Sequence, residues 1–378
     1  MKIAVYAIAL NEAGFVRRFM ASCQGADLVL VADTGSTDAT VRLLTEAGAK
    51  VRPLRVDPWR FDVARNAAMA MLPDDVDVCI ALDLDQTLPT GWRALVESAW
   101  TDGVDQLDYA HVYLQSGAGG GEFVFVDNRI HARTGFVWRY PCHECLIPLP
   151  GHSHQAVRVE QLRLLHAPDL DKPRGAYLPL LEMAVREAPD DARSAHYLGR
   201  EYFQVGRYAE AALELQRHLT LSLATTSEIE RNASVRLIGR CRENLGDMEG
   251  AMEAYRTAAA HRPRARGVWL ELAWAHHRRA EWAPCLAAAE QAIALPAGAP
   301  AYGDDTTAGV VAEDLACLAS WSLGRPQQAL AYAKAALAKA PQLARLAANL
   351  RRIEAALAQS GPQSYGVSLT PLETDVRT

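Results

Sequence analysis

The sequence predicts two folds in series: an α/β domain built on parallel strands, then an all-α domain of repeated helix pairs. Three observations carry that prediction. Short β-branched runs alternate with amphipathic segments in the first part of the chain, the period becomes helical from about residue 176, and small residues then recur at nearly regular spacing. A length of 378 residues fits two domains at about 150 residues each.

Residues 2–10 read as a strand, 13–22 as a helix, 27–33 as a strand and 37–47 as a helix carrying Val41, Leu43 and Leu44. Strands at 51–56 and 76–82 follow, with a helix at 63–72 between them. Strand–helix alternation implies parallel strands joined by crossovers, with a ligand lying over the carboxyl ends of the strands. Asn11, Asp33 and Asp83 all fall at such ends. Beyond Gly103 the pieces 108–114, 123–129 and 136–139 read as an antiparallel extension of the sheet. The glycine run 117–121 lacks the Lys-Ser/Thr that follows a phosphate-binding loop and reads as a hairpin turn. A further strand, 162–165, ends at His166.

In the second part, Gly206-Arg-Tyr-Ala-Glu-Ala, Gly246-Asp-Met-Glu-Gly-Ala, Ala280-Glu-Trp-Ala-Pro-Cys and Gly324-Arg-Pro-Gln-Gln-Ala align at spacings of 40, 34 and 44 residues. Pro263, Pro296 and Pro341 follow three of these turns, and Pro189 precedes the first. The unit resembles the tetratricopeptide repeat, a helix pair in which small residues permit close packing. Trp269, Trp274, Trp282 and Trp321 read as packing between helices, and His276-His277-Arg278-Arg279 as a solvated helix end. The expected organisation is therefore residues 1–170, a helical-repeat domain at 171–358, and an irregular tail at 359–378.

Composition narrows the function classes. No apolar run approaches the roughly 18 residues needed to span a bilayer, and residues 3–10 are too short for a signal peptide, so the expected location is the cytoplasm. Seven scattered cysteines in a long chain fit reduced thiols. Of the net charge of −6, the whole excess lies in residues 1–170, with 15 Lys and Arg against 21 Asp and Glu. An acidic domain disfavours broad nucleic-acid binding and suits a divalent cation.

The chemistry concentrates in a few segments. Ala81-Leu82-Asp83-Leu84-Asp85-Gln86 delivers two carboxylates at positions i and i+2, which share a face on a strand and suit Mg²⁺ or Mn²⁺ bridging a diphosphate. Asn11-Glu12 ends the first strand, Asp33-Thr-Gly-Ser-Thr-Asp38 ends the second, and Trp59-Arg-Phe-Asp62-Val-Ala-Arg65-Asn66 opens a helix. A later cluster is Trp138-Arg-Tyr-Pro-Cys142-His143-Glu144-Cys145. Cys142 and Cys145, with His131, His152, His154 and His166 in the same region, also allow a zinc reading, but a second Cys pair is absent.

Together and in this order, the segments at Asn11, Asp33, Arg65 and Asp83 resemble family-2 glycosyltransferases of the GT-A fold, particularly bacterial members with a tetratricopeptide-like C-terminal region. The resemblance implies a Rossmann-like nucleotide-sugar domain over residues 1–170. It further implies that Asp33 meets the nucleotide base, Asn11 and Glu12 line the nucleoside, and Arg65, supported by Asp62, lies near ribose or diphosphate. Asp83 would sit by ribose and metal, Asp85 would ligate the metal, and His166 would complete the metal site. Glu144 is the preferred base for the acceptor proton, with His143 orienting it or contacting phosphate. Cys142 stands where a small apolar residue is usual, and Gln86 where an acid often follows.

The expected function is metal-dependent, inverting transfer of a sugar from a nucleotide-sugar donor, a UDP-sugar first, to a peptide, glycan or nucleic-acid acceptor. The helical repeats would shape the acceptor side or a homodimer interface. A non-catalytic tetratricopeptide scaffold carrying a degenerate donor domain is the alternative. A nucleotidyltransferase fits less well, because no Gly-rich loop with Arg and Lys opens the chain.

Overall fold

The computed structural model describes residues 1–114, 122–168, 177–221, 228–296, 308–358 and 369–370. The glycine turn expected at 117–121 and, apart from Leu369 and Thr370, the tail lie outside the described residues. The chain divides into two compact units, Met1–Glu187 and Ala188–Thr378. Helix α5 (Tyr177–Glu187) thus groups with the first unit.

The first unit holds a mixed eight-stranded sheet in the order β3-β2-β1-β4-β7-β6-β10-β5. Its strands are β1 (Ile3–Ala9), β2 (Leu28–Asp33), β3 (Lys50–Pro53), β4 (Val78–Ala81), β5 (Gln86–Thr87), β6 (Gln106–Leu114), β7 (Glu122–Ala132) and β10 (Ala156–His166). A separate hairpin pairs β8 (Phe136–Arg139) with β9 (Cys145–Pro148). Strands β3, β2, β1 and β4 run parallel, whereas β7 is antiparallel to both β4 and β6. The strand order reverses at β1, because the chain passes outward to β3 and returns on the other side as β4. The carboxyl ends of β1 and β4 therefore adjoin at a topological switch point, where open sheets of this kind form a crevice.

Helices cover both faces of β1, so its sequence is a continuous apolar run rather than an alternation. Ile3, Val5 and Ala7 pack in one core with Phe19 of α1 (Val16–Ser22) and with Trp92 and Val96 of α4 (Trp92–Ala99). Ala4 and Tyr6 pack in the other with Ala68 of α3 (Phe61–Ala70) and with Trp138 and Leu146 of the small hairpin. Helix α4 was not foreseen, although Trp92, Leu95 and Val96 have helical spacing.

Element ends differ from the sequence reading for physical reasons. Helix α2 (Thr40–Glu46) starts after residue 37, because the Thr37 amide is donated to Asn11 Oδ1 at 2.8 Å. Strand β4 stops at Ala81, and a turn closed by the Gln86 amide on the Asp83 carbonyl, 2.9 Å, follows it. Asp83 and Asp85 consequently lie on this turn and not on one strand face. Leu84 is buried between them and anchors it.

The second unit is an α-helical repeat array. Pairs α6 (Ala192–Gln204) and α7 (Tyr208–Thr220), α8 (Glu228–Asn244) and α9 (Met248–His261), α10 (Arg266–Arg278) and α11 (Trp282–Ala294), and α12 (Ala308–Ser322) and α13 (Pro326–Lys339) are followed by α14 (Ala344–Ala358). The short turns within the pairs contain Gly206, Gly246, Ala280 and Gly324, the same four positions that the sequence aligns, and all four have positive φ. Glycine enters αL without strain, which explains its use at three of them. Trp274 and Trp321 are buried between helices.

Small residues also set the spacing between helices. A Cβ at Gly239 would lie 2.5 Å from the ring of buried Tyr255. Gly239→Ala gains about 1 kcal/mol of helix propensity, but overpacking costs about 1–3 kcal/mol. A lowered midpoint in urea unfolding is expected; a midpoint at or above wild type would show that the ring gives way.

Candidate functional site

The candidate site is built at the carboxyl ends of β1, β2 and β4. Asn11 has φ 54°, and its amide donates to Ser36 Oγ at 2.9 Å. The Glu12 amide donates to Thr40 Oγ1 at 2.7 Å. Asp33 accepts from the amides of Gly35 and Ser36, each at 3.1 Å. These contacts tie the β1 and β2 loops together, and the Asp33 carboxylate closes its own turn.

The N-terminus of α3 is clamped to the β8–β9 turn. The Phe61 amide donates to the Pro141 carbonyl at 2.9 Å, while Asn66 both donates to and accepts from the backbone of Trp138 at 2.8 and 2.9 Å. Arg60 forms a bidentate pair with Asp62 at 3.0 and 2.8 Å and also reaches Glu187 at 2.6 Å. One turn on, the buried Arg65 donates from Nε to Glu144 at 2.5 Å and from Nη2 to Asp83 at 2.8 Å, with its guanidinium 5.0 Å from the Trp138 ring. Arg65 Nη1 is buried with no hydrogen-bond partner among the described residues.

Arg129, on β7, joins the same group. Its Nη1 donates to Asp83 at 3.1 Å and its Nε lies 3.1 Å from Asp127. Burial works to raise the Asp83 carboxyl, but Arg65 and Arg129 outweigh it and hold the group far below the usual carboxylate range. The same opposition, with Arg129 and His111 prevailing over burial, pulls Asp127 down to about 2. Both oxygens of Asp83 are therefore committed to cations, and Gln86 Nε2 adds a further contact at 3.2 Å.

Asp85 takes the other direction. Its Oδ2 lies 3.0 Å from His166 Nε2; His166 Nδ1 lies 3.3 Å from His111 Nε2, and His111 Nδ1 lies 3.0 Å from Asp127. If Asp127 accepts from His111 Nδ1–H, His111 Nε2 accepts in turn from His166 Nδ1–H. His166 Nε2 then presents a lone pair to a carboxylate oxygen. Two acceptors this close require a proton or a metal ion between them. Their 3.0 Å separation also matches the edge between neighbouring ligands of an octahedral ion, roughly 3.0 Å for bonds of about 2.1 Å. The pair Asp85–His166 thus fits a small divalent cation, while Asp83 is drawn away from it.

The His143-Glu144 segment is divided by the fold. Glu144 turns inward to Arg65, whereas His143, at φ 51°, is exposed and stacks on Tyr177 with centroids 5.7 Å apart. The histidines near Cys142 and Cys145 are engaged elsewhere: His152 and His154 bind Asp105 at 2.7 and 2.9 Å, and His131 binds Tyr6. His111, Asp127 and Arg129 were missed in the sequence. For Asp127 and Arg129 the signal was two charged residues inside the largely apolar run of β7.

Beneath the arginines, Trp138 Nε1 donates to Tyr6 Oη at 2.8 Å, and Tyr6 Oη lies 2.9 Å from His131 Nε2. His131 Nδ1 donates to the Ala132 carbonyl, so Nε2 accepts the tyrosine proton. Burial pushes His131 down to about 4. An unfolded histidine titrates near about 6.5, so between these values the unfolded chain binds the extra proton. Stability from this source is complete above about pH 6.5 and is lost as pH falls through about 4. His131→Gln should therefore shallow the fall in unfolding midpoint between about pH 7 and pH 4.5; equal slopes would remove His131 from the account.

No protein-family model matches the chain. A TPR repeat-containing protein of Synechococcus elongatus is 26% identical over 326 residues, covering 78% of this chain and 75% of that protein. Among solved structures, MamA is 19% identical with a TM-score of 0.37, over 44% of this chain and 89% of its own. The glucosyl-3-phosphoglycerate synthase of Mycobacterium tuberculosis, in complex with Mn²⁺, UDP and glucosyl-3-phosphoglycerate, is 22% identical with a TM-score of 0.25, over 29% of this chain and 44% of its own.

Proposed function

We propose that the first unit is a metal-dependent glycosyltransferase that takes a nucleotide-sugar donor, a UDP-sugar first, at the carboxyl ends of β1, β2 and β4. The observation that carries this reading is the Asp85–His166 pair, a carboxylate oxygen and an imidazole nitrogen 3.0 Å apart at the strand ends. Mg²⁺ and Mn²⁺ characteristically take one or two protein ligands and leave the rest to phosphate and water. The buried Arg65 Nη1 supplies a second support, because an unpaired buried donor calls for an oxygen ligand.

Each residue then has a task. Asn11, Glu12 and Asp33 shape the loops that line the nucleoside, and Asp62 holds Arg60 at the mouth of α3. Asp83 faces the ribose while fixing Arg65 and Arg129 in place. When bound, the cation would neutralise the diphosphate leaving group. Glu144 would take the acceptor proton, its direction set by Arg65, and exposed His143 would contact the acceptor. The repeats of the second unit would receive a macromolecular acceptor, since such arrays offer extended binding surfaces.

A second reading, a non-catalytic tetratricopeptide scaffold, draws on a specific observation. Asp33, Asp83 and Glu144 all make contacts within the protein. A thermal-shift and calorimetric panel of UDP, GDP, CDP and dTDP sugars, with and without Mn²⁺, separates the two. A ligand at a hundred times its dissociation constant stabilises by about 2.7 kcal/mol, which such a panel detects. Metal-dependent binding of one nucleotide family, abolished in Asp85→Ala, is expected; silence from every donor supports the scaffold.

Once a donor and acceptor are in hand, Glu144→Gln should leave donor binding intact and slow transfer by about 10²–10⁴-fold. Full turnover in that variant would remove Glu144 as the base.

A further inference from the structure

The second unit contains a polar cluster in the core of its first three helices. His196 on α6, His218 in the last turn of α7 and Glu230 in the first turn of α8 are all buried, and each presents a ligand atom within 4.8 Å of the others'. Ser234, one turn after Glu230 on α8 and itself fully buried, holds both rings: its Oγ lies 2.7 Å from His196 Nδ1 and 2.9 Å from His218 Nδ1. The remaining nitrogen of His218, Nε2, is buried and has no hydrogen-bond partner among the described residues.

We propose that His196, His218 and Glu230 bind one divalent transition-metal ion, Zn²⁺ first, which staples α6, α7 and α8 together. A serine oxygen has two lone pairs and can accept from both Nδ1–H groups, and in those tautomers Nε2 is the lone-pair nitrogen of each ring. A hydrogen bond on the far nitrogen is the usual support for a metal-bound histidine. Two imidazoles and a carboxylate form a common zinc donor set, with water in the fourth position. Tetrahedral ligands at Zn–N distances of about 2.0–2.1 Å stand roughly 3.4 Å apart, so a set spread over up to 4.8 Å draws inward on binding. Arg193 and Arg200 act on His196 and Glu230, with Asp191 opposing them at Glu230, and Arg217 and Arg231 act on His218. Two imidazole ligands favour a transition-metal ion over Mg²⁺ or Ca²⁺.

This site is independent of the cation proposed for the first unit, and the test keeps them apart. Full-length protein carrying no affinity tag is stripped with a chelator and titrated with Zn²⁺ in excess Mg²⁺, in wild type, Asp85→Ala, His218→Ala, Glu230→Gln and Ser234→Ala. Wild type and Asp85→Ala should each bind one Zn²⁺ and gain thermal stability from it. His218→Ala and Glu230→Gln should lose it. Ser234→Ala keeps every ligand and should bind about 10–100-fold more weakly.

Because the core variants can misfold, Co²⁺ is also added to the wild type. Visible bands of a four-coordinate nitrogen and oxygen site are expected. A thiolate charge-transfer band, no Zn²⁺ uptake by wild type, or unchanged uptake in folded His218→Ala and Glu230→Gln would overturn the assignment.

Discussion

The first unit is organised around one buried guanidinium. Removing Arg65 from water costs several kcal/mol before any partner is counted, and the fold meets that cost with carboxylates from two distant segments and the face of an indole. Asp83 follows β4, Glu144 precedes β9, and Trp138 lies on β8; each is fixed by the same side chain. The clamp between α3 and the small hairpin is thus electrostatic as well as apolar. A lysine could not replace this arrangement, since an ammonium lacks the planar fork that divides two carboxylates and stacks on the ring.

That arrangement separates two aspartates that the sequence presents as a pair. Leu84 enters the core and anchors the turn, Asp83 is drawn to Arg65 and Arg129, and Asp85 faces His166. Environment, not residue type, divides their roles: one carboxylate is neutralised internally, and the other remains beside an imidazole. The chain of contacts from Asp85 through His166, His111 and Asp127 to Arg129 returns to Asp83, so the two aspartates are joined through the protein as well as along it.

The second unit solves a different problem. Its helices are rich in Ala, and the cores they bury are shallow, with Gly199 and Gly239 letting Leu215 and Tyr255 approach the neighbouring backbone. Into the first of these layers the fold places two histidines, a glutamate and a serine, all buried. A polar cluster in a core of this kind costs free energy unless its groups are satisfied, and the Ser234 hydroxyl joins both rings.

Local chemistry alone determined much of this protein. Apolar runs marked β1, β2 and β4, and residues that tolerate positive φ marked the repeat turns at Gly206, Gly246 and Gly324, because both signals depend on neighbours in sequence. Asn11, Asp33 and Asp83 were legible as strand-end residues for the same reason. Only the tertiary structure decided what those side chains meet. His111, Asp127 and Arg129 entered the site because β6 and β7 are placed beside β4 and β10, and His196 met Glu230 because α6 packs against α8. Pairings across such separations depend on how the chain crosses over, a property that no window of sequence contains.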